Sequence, residues 1–463
     1  MLGLMACVAP ALAVPSLPDD PLRALAARLK TPRESLSAWV QAVDESRPRY
    51  VLNPQVARNP ASTAKLLTTF VALDLQGPDH VWRTDFHAAG TLRGDTLEGD
   101  LLIRGGGDPW LTEDRFWRML GDLRARGLRR ITGDLVIDAS RFAPPTRTPG
   151  DFDGQATRLY NVLPHALLVN FKAITLGFTP TADGAVEVDV TPRLPGLQLD
   201  NRLALTEGHC AGVESVVQIT EGGEAGGTTL RLAGAYPRAC GRQVLHRSFF
   251  TPEAYAHALF TRLWAQWDGE FTGQVRSGVR AKDHRLLLRA ESAPLAEVLR
   301  PLNKWSNNPM ADAVFLGLGA RPEDTDLDAT RAAAHMKAYL TRAGISTQGL
   351  VMENGSGLSR HSRVSAQTMA GLLRHAWSSR YMPEFLASLS IVGVDGTLRK
   401  RFSAPPERGW MHLKSGYLNG VSAVAGYVRA QSGKTYVVCF FLNGPYPSGR
   451  ALGDALLRWT WQH

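Results

Sequence analysis

Asn59-Pro60-Ala61-Ser62-Thr63-Ala64-Lys65 is the stretch on which the fold reading turns. Pro60 suits the entry to a helix, where a missing N–H costs nothing. From Thr63 to Leu75 apolar residues recur at helical spacing, at Leu66, Leu67, Phe70, Val71 and Leu73. Ser62 therefore stands at a helix start. Residues three apart share a helix face, so Lys65 projects beside it. A serine hydroxyl is a poor nucleophile until a neighbouring base takes its proton. A lysine can do so if burial and a second cation lower its pKa. The N–H groups of the helix start also point at a developing oxyanion.

Two further triplets supply what this pair lacks. Lys414-Ser415-Gly416 precedes a strand-rich C-terminal stretch. Lys414 is the second cation, and with the Ser415 hydroxyl it suits a peptide's terminal carboxylate. Gly416 lets a ligand backbone approach closely. The amides of Tyr417 and Ser62 together would form an oxyanion hole. In Ser306-Asn307-Asn308, side chains alternate if the segment is extended, so Ser306 and Asn308 share a side. Ser306 can then relay a proton to a leaving amine. Asn308 can hold a substrate amide and orient Lys65, with Asn307 pointing away. Each triplet alone is common; their order and local context carry the reading.

Outward from these motifs, Pro21 to Lys30 reads as a helix, and Ser37–Val43 and Arg49–Leu52 as strands. Near the other end, Val421–Arg429 and Thr435–Leu442 read as strands and Ala451–Trp461 as an amphipathic helix. Antiparallel strands from both chain ends, with terminal helices, predict an α+β sheet closed by the N- and C-terminal pieces. The chain has 463 residues, beyond the roughly 250–300 at which single cores stop growing. The middle, 86–285, is richer in Gly and Pro and in short strand-like runs, and reads as an inserted region. Gly99-Asp100-Leu101-Leu102-Ile103 is echoed by Gly133-Asp134-Leu135-Val136-Ile137, each a candidate start of an equivalent strand.

The net charge of +9 favours anionic partners without choosing among them. The densest basic group, Arg124, Arg126, Arg129 and Arg130, reads as a solvated helix end. Four cysteines include no C-x-x-C, which argues against a zinc ribbon. Cys210 and Cys240 either pair, closing a loop of about 30 residues, or remain two thiols. Cys439, in an apolar run, reads as a buried inert thiol. Arg104-Gly105-Gly106-Gly107-Asp108-Pro109 lacks G-K-[ST] and reads as a turn. Glu353-Asn354-Gly355-Ser356-Gly357 lacks the ligands of an EF-hand loop and reads as a polar turn. Met1 to Ala13 is apolar and ends in Ala11-Leu12-Ala13, which predicts an export signal cleaved near Ala13. Leu4-Met5-Ala6-Cys7 leaves a lipid anchor as the alternative. No later run is apolar enough to span a membrane.

The three motifs, in this order, match those of penicillin-recognising serine enzymes. With Gly105–Pro109, Ile137-Asp138-Ala139-Ser140-Arg141-Phe142, Lys304–Asn308, Asn354–Arg360 and Val394-Asp395-Gly396-Thr397-Leu398, the chain resembles the class C penicillin-binding proteins. These are the penicillin-binding protein 4 group of D-Ala-D-Ala carboxypeptidases and endopeptidases, and the resemblance covers nearly the whole mature chain. It implies a serine β-lactamase/DD-peptidase-like domain made of 21–85 and 286–463. Two strand-rich domains are expected within 86–285, and residues 1–20 as signal and leader. It implies a periplasmic enzyme acting on peptidoglycan stem peptides through an acyl-enzyme on Ser62, acylated also by β-lactams. Neither cofactor, metal nor nucleic acid is implied. The third motif has Ser415 where Thr is commoner in the family, and the hydroxyl is kept. Some family members bind a diaminopimelate amine through an inserted-domain aspartate. Asp151 and Asp153 are the alternatives here. A β-lactamase or esterase, a non-catalytic wall-binding protein, and a nucleic-acid binder are the rival readings.

Overall fold

The computed structural model describes residues 20–222 and 228–463. The expected export signal, its cleavage point near Ala13, and Cys7 lie outside the described residues. Strands from both chain ends make one antiparallel sheet of six strands. Their order is Ser390–Ile391, Met411–Leu418, Val421–Arg429, Thr435–Asn443, Leu36–Ala42 and Tyr50–Leu52. The closure is made by Leu36–Ala42 against Thr435–Asn443, with Trp39 opposite Cys439.

Period-two alternation explains how one apolar run serves two cores. Val437, Cys439 and Phe441 face a layer that holds Leu66, Phe70, Leu299, Val314, Met336, Leu372 and Phe385. Tyr436, Val438, Phe440 and Leu442 face the opposite layer, with Leu452, Leu456 and Ala26. The first layer contains the helices Lys65–Gln76, Leu295–Lys304, Asn308–Leu316, Ala329–Arg342, Ala366–Trp377 and Met382–Ser388. The second contains Arg23–Arg28 and Gly449–Gln462. Each fully buried Leu, Val or Phe in these layers contributes about 1.5–3 kcal/mol. Cys439 is buried and unpaired, as its apolar surroundings predict.

Between the sheet's halves, Arg83–Arg93 and Arg285–Glu291 run antiparallel side by side, so the intervening chain leaves and returns at one place. The two echoing stretches become neighbouring parallel strands in register: Leu101 lies opposite Leu135, Leu102 opposite Val136 and Ile103 opposite Ile137. The shared Gly-Asp has a physical use in each copy. A Cβ on Gly133 would fall 2.5 Å from the Gly99 carbonyl carbon, and Asp134 donates its N–H to the Asp100 carboxylate at 2.7 Å. Two three-stranded sheets follow, Gln218–Gly222, Thr228–Pro237 and Leu197–Thr206, then Gln243–Arg247, Ile174–Pro180 and Val186–Thr191. Cys210 and Cys240 are disulfide-bonded. Of the dense basic group, Arg129 and Arg130 pair with Glu270 on the surface. Among the described residues no helix is long and apolar enough to cross a membrane.

Candidate active site

Ser62 sits in a single 3-10 turn, Ala61–Ala64, and the α-helix starts only at Lys65. The turn is pinned from the sheet's end: Asn443 accepts from the Asn59 N–H at 2.7 Å, and Asn59 in turn donates to the Ser359 carbonyl at 2.8 Å. Two glycines admit the turn to its place. A Cβ on Gly416 would lie 2.8 Å from Ser62 N, and one on Gly357 would lie 1.9 Å from the Ala61 carbonyl oxygen. Gly416 therefore brings the Met411–Leu418 strand directly against the Ser62 amide, with Tyr417 next in line and 81% exposed.

Lys65 is fully buried. Its Nζ donates to Ser62 Oγ at 3.2 Å, to Asn308 Oδ1 at 2.7 Å and to the Ser356 carbonyl at 2.7 Å. Burial and the nearby Lys414 charge push its pKa well below that of a free lysine, while Asp312 pulls it back. Lys414, also buried, donates to Ser306 Oγ at 2.9 Å and to the Ser415 carbonyl at 2.8 Å. Burial lowers its pKa to about 7. Two lysines in a dry site cannot both hold a proton cheaply. One of the pair is thus available as a base at neutral pH, and the other as a cation.

The expected extended geometry of Ser306-Asn307-Asn308 is corrected by the structure. Ser306 has φ +58° in a turn between helices, Asn307 is the N-cap of Asn308–Leu316 through a bond from Met310 N–H, and Asn308 is its first residue. A tight inter-helix turn still aims Ser306 and Asn308 into one cleft and turns Asn307 away. Lys414, Ser415 and Gly416 also lie in the middle of a strand, not at its start.

Three contributors were missed from sequence. The Ser356 carbonyl belongs to the segment read as a polar turn. Asp312 accepts the Ser356 N–H at 2.8 Å, lies 3.6 Å from Arg147 and has a pKa raised chiefly by burial. Its position four residues after Asn308, on the same helix face, was the available signal. Tyr160, from the inserted region, accepts a bond from Asn308 Nδ2 at 2.9 Å. Asp312 further lines a cavity of about 690 Å³ with Arg147, Asp151, Phe152 and Arg360. The Arg360 guanidinium stacks over the Phe152 ring at 4.4 Å. Asp153 is engaged by Tyr160 and Asn161.

The model of the D-Ala-D-Ala carboxypeptidase 3 (S13) family matches residues 22–461. The chain belongs to that family. This S13 chain is 31% identical to the D-alanyl-D-alanine carboxypeptidase of Actinomadura sp. (strain R39), over 86% of its own length and 76% of the relative's. It is 26% identical to the D-alanyl-D-alanine carboxypeptidase DacB of Haemophilus influenzae, over 84% and 81%. The crystal structure of penicillin binding protein 4 from Haemophilus influenzae superposes with a TM-score of 0.77 at 24% identity, covering 92% of this chain and 94% of that one. The same protein in complex with a β-lactam gives a TM-score of 0.72. The S13 chain thus has the expected α+β fold, a DD-peptidase with inserted domains.

Proposed function

We propose that this S13 carboxypeptidase removes the terminal D-Ala of peptidoglycan stem peptides through an acyl-enzyme on Ser62. The observation that carries the reading is the fully buried Lys65 Nζ 3.2 Å from Ser62 Oγ, with a second buried lysine behind Ser306. Ser62 Oγ attacks the carbonyl of the penultimate D-Ala while neutral Lys65 takes its proton. The oxyanion sits between the amides of Ser62 and Tyr417. Lys414, through Ser306, delivers a proton to the departing nitrogen as the C–N bond breaks. Water then attacks the ester, its proton passing through Ser306 back to Lys414, while Lys65 returns its proton to the departing Ser62 Oγ, so that the free serine and both lysines are restored. Lys414 and Ser415 hold the terminal carboxylate. The scheme uses protein groups and water alone.

The substrate's path follows from the sheet. Ser390–Ile391 pairs only with His412 and Leu413, so among the described residues no strand covers that edge of Lys414–Leu418. An extended peptide adds there by main-chain hydrogen bonds. β-Lactams acylate Ser62 in the same way and leave slowly. The same chemistry applied to a D-Ala cross-link is endopeptidase cleavage. The catalytic unit comprises 21–82 and 292–463, with 83–291 inserted, because the strands Arg83–Arg93 and Arg285–Glu291 that the expected bounds of 85 and 286 would cut belong to the inserted sheet; a peptidoglycan substrate fits a periplasmic site of action after export. Asp151, lining the cavity beside Phe152, is better placed than Asp153 to meet a stem-peptide amine.

The test is labelling with a fluorescent penicillin, with peptide mapping, alongside D-Ala release from a pentapeptide. Label on Ser62, absent in Ser62→Ala, together with released D-Ala supports the reading. Folded wild-type protein that takes no label overturns it and favours a wall-binding role.

A further inference from the structure

Beyond the cleft, on the Lys414 side, lies a surface that removal of a single D-Ala does not use. Trp305 directly precedes Ser306 and is 58% exposed, and Trp410 is 47% exposed. Both rings are open to solvent and so available to a partner. Arg399 lies with its guanidinium 6.0 Å from the Trp305 ring centre. The segment carrying Arg399 is clamped to the helix end that carries Trp305. Lys304 Nζ binds Asp395 Oδ2 at 2.5 Å and the Leu389 carbonyl at 2.9 Å. A Cβ on Gly396 would lie 2.5 Å from the Lys304 carbonyl oxygen.

The charge on this surface is one-sided. Arg399, Lys400 and Arg408 are exposed. Among the described residues none of the three pairs with a carboxylate. The nearby acids are already committed, Asp395 to Lys304 and Glu407 to Arg458. Arg408 lies in the same patch, its Cγ 2.9 Å from where a Cβ on Gly393 would be, beside Val394.

Direction along the strand decides which part of a substrate arrives here. Gly416 marks the scissile carbonyl, because it packs on the Ser62 amide. Lys414 and Ser415 precede it and face the group that leaves. Trp410 is a further four residues back, about 14 Å at 3.4 Å per residue. A departing single D-Ala ends at Lys414. When a cross-link is cut, the leaving group is a whole second stem peptide, long enough to reach this distance and carrying several carboxylates.

We propose that Trp305, Arg399, Lys400 and Arg408 form the subsite for the leaving strand of a cross-linked peptidoglycan peptide, an acidic peptide. The inference rests on Ser62 as the acylating serine. The subsite separates the two activities of one catalytic centre: cross-link cleavage draws on it, and release of terminal D-Ala does not.

The experiment compares wild type with Arg399→Glu/Lys400→Glu on two substrates, a cross-linked muropeptide dimer and an uncross-linked pentapeptide muropeptide. Penicillin labelling of Ser62 is measured on both proteins as the check of fold and site. For the dimer, kcat/KM is expected to fall by about tenfold or more. Pentapeptide turnover and labelling stay within about twofold, and Arg399→Lys/Lys400→Arg restores dimer cleavage. Unchanged dimer cleavage, or an equal loss on both substrates, overturns the subsite. So does a wild type that releases D-Ala but leaves the dimer intact, and that result leaves the Ser62 reading standing. A wild type that neither labels nor releases D-Ala removes the Ser62 reading, and the subsite with it.

Discussion

Lys65 Nζ donates to the side-chain oxygen of Asn308 at 2.7 Å, across 243 residues of sequence. The same amide donates through Nδ2 to the Tyr160 carbonyl, so one side chain ties Lys65 both to the helix Asn308–Leu316 and to the inserted region. Removing a hydrogen-bond partner from a buried charged group costs about 1.5–3 kcal/mol. Asn308→Ala is therefore expected to slow penicillin acylation by roughly 10- to 100-fold. Stopped-flow acylation rates check this, and a change of less than twofold would dismiss the orienting role.

Asp312 acts on Lys65 through charge and through Ser356. Asp312→Asn can keep the bond from the Ser356 N–H while removing the negative charge that holds the Lys65 pKa up. Lys65 then loses its proton at lower pH. The rising limb of the pH–acylation profile should move toward acid by roughly half to one unit. An unmoved limb would mean that the charge of Asp312 does not reach the base.

Burial of Lys414 lowers its pKa to about 7 in the folded chain, against about 10.4 when unfolded. Between these values the unfolded chain binds the extra proton, so this group's contribution to stability rises with pH from about 7 to about 10 and is flat below. Lys414→Met lacks that dependence. Its stability relative to wild type should be highest at pH 7 and should decline by pH 9.5. Urea unfolding at the two pH values measures the difference, and parallel behaviour of the two proteins would contradict the assignment.

Gly357 has φ +76°, and any Cβ there would meet the Ala61 carbonyl. Gly357→Ala must displace the Ser62 turn or its own loop. A loss of about 1–3 kcal/mol in stability is expected, with penicillin labelling reduced at a temperature where the variant remains folded. Differential scanning calorimetry and labelling on one sample report both.

Cys210 and Cys240 are separated by 30 residues, and closing a loop of this size is worth about 3–4 kcal/mol. Cys210→Ser/Cys240→Ser is expected to lower stability by about that amount. Both cysteines pack with the core of the inserted region, away from Lys65 and Lys414. Ser62 labelling of the folded variant should keep its wild-type rate.

Local chemistry made much of this protein legible in its sequence. Ser62 and Lys65 are three residues apart, and helical geometry alone brings them together. The terminal strands and helices follow from apolar period, and the echo of Gly99–Ile103 in Gly133–Ile137 anticipated two equivalent strands. Ser306 and Asn308 each bond one of the two lysines, but through a φ-positive turn and not the extended run the sequence suggested. What the sequence could not specify was which distant groups close around the lysines. Ser356 and Tyr160 reach Lys65 and Asn308 only because two separate segments pack on the helix that carries Asn308 and Asp312, and such contacts have no signature at short sequence range. The motif residues and their order were determined by the sequence by itself. Only the tertiary structure decided that both lysines are sealed from water, and that burial is what makes a lysine a base at neutral pH.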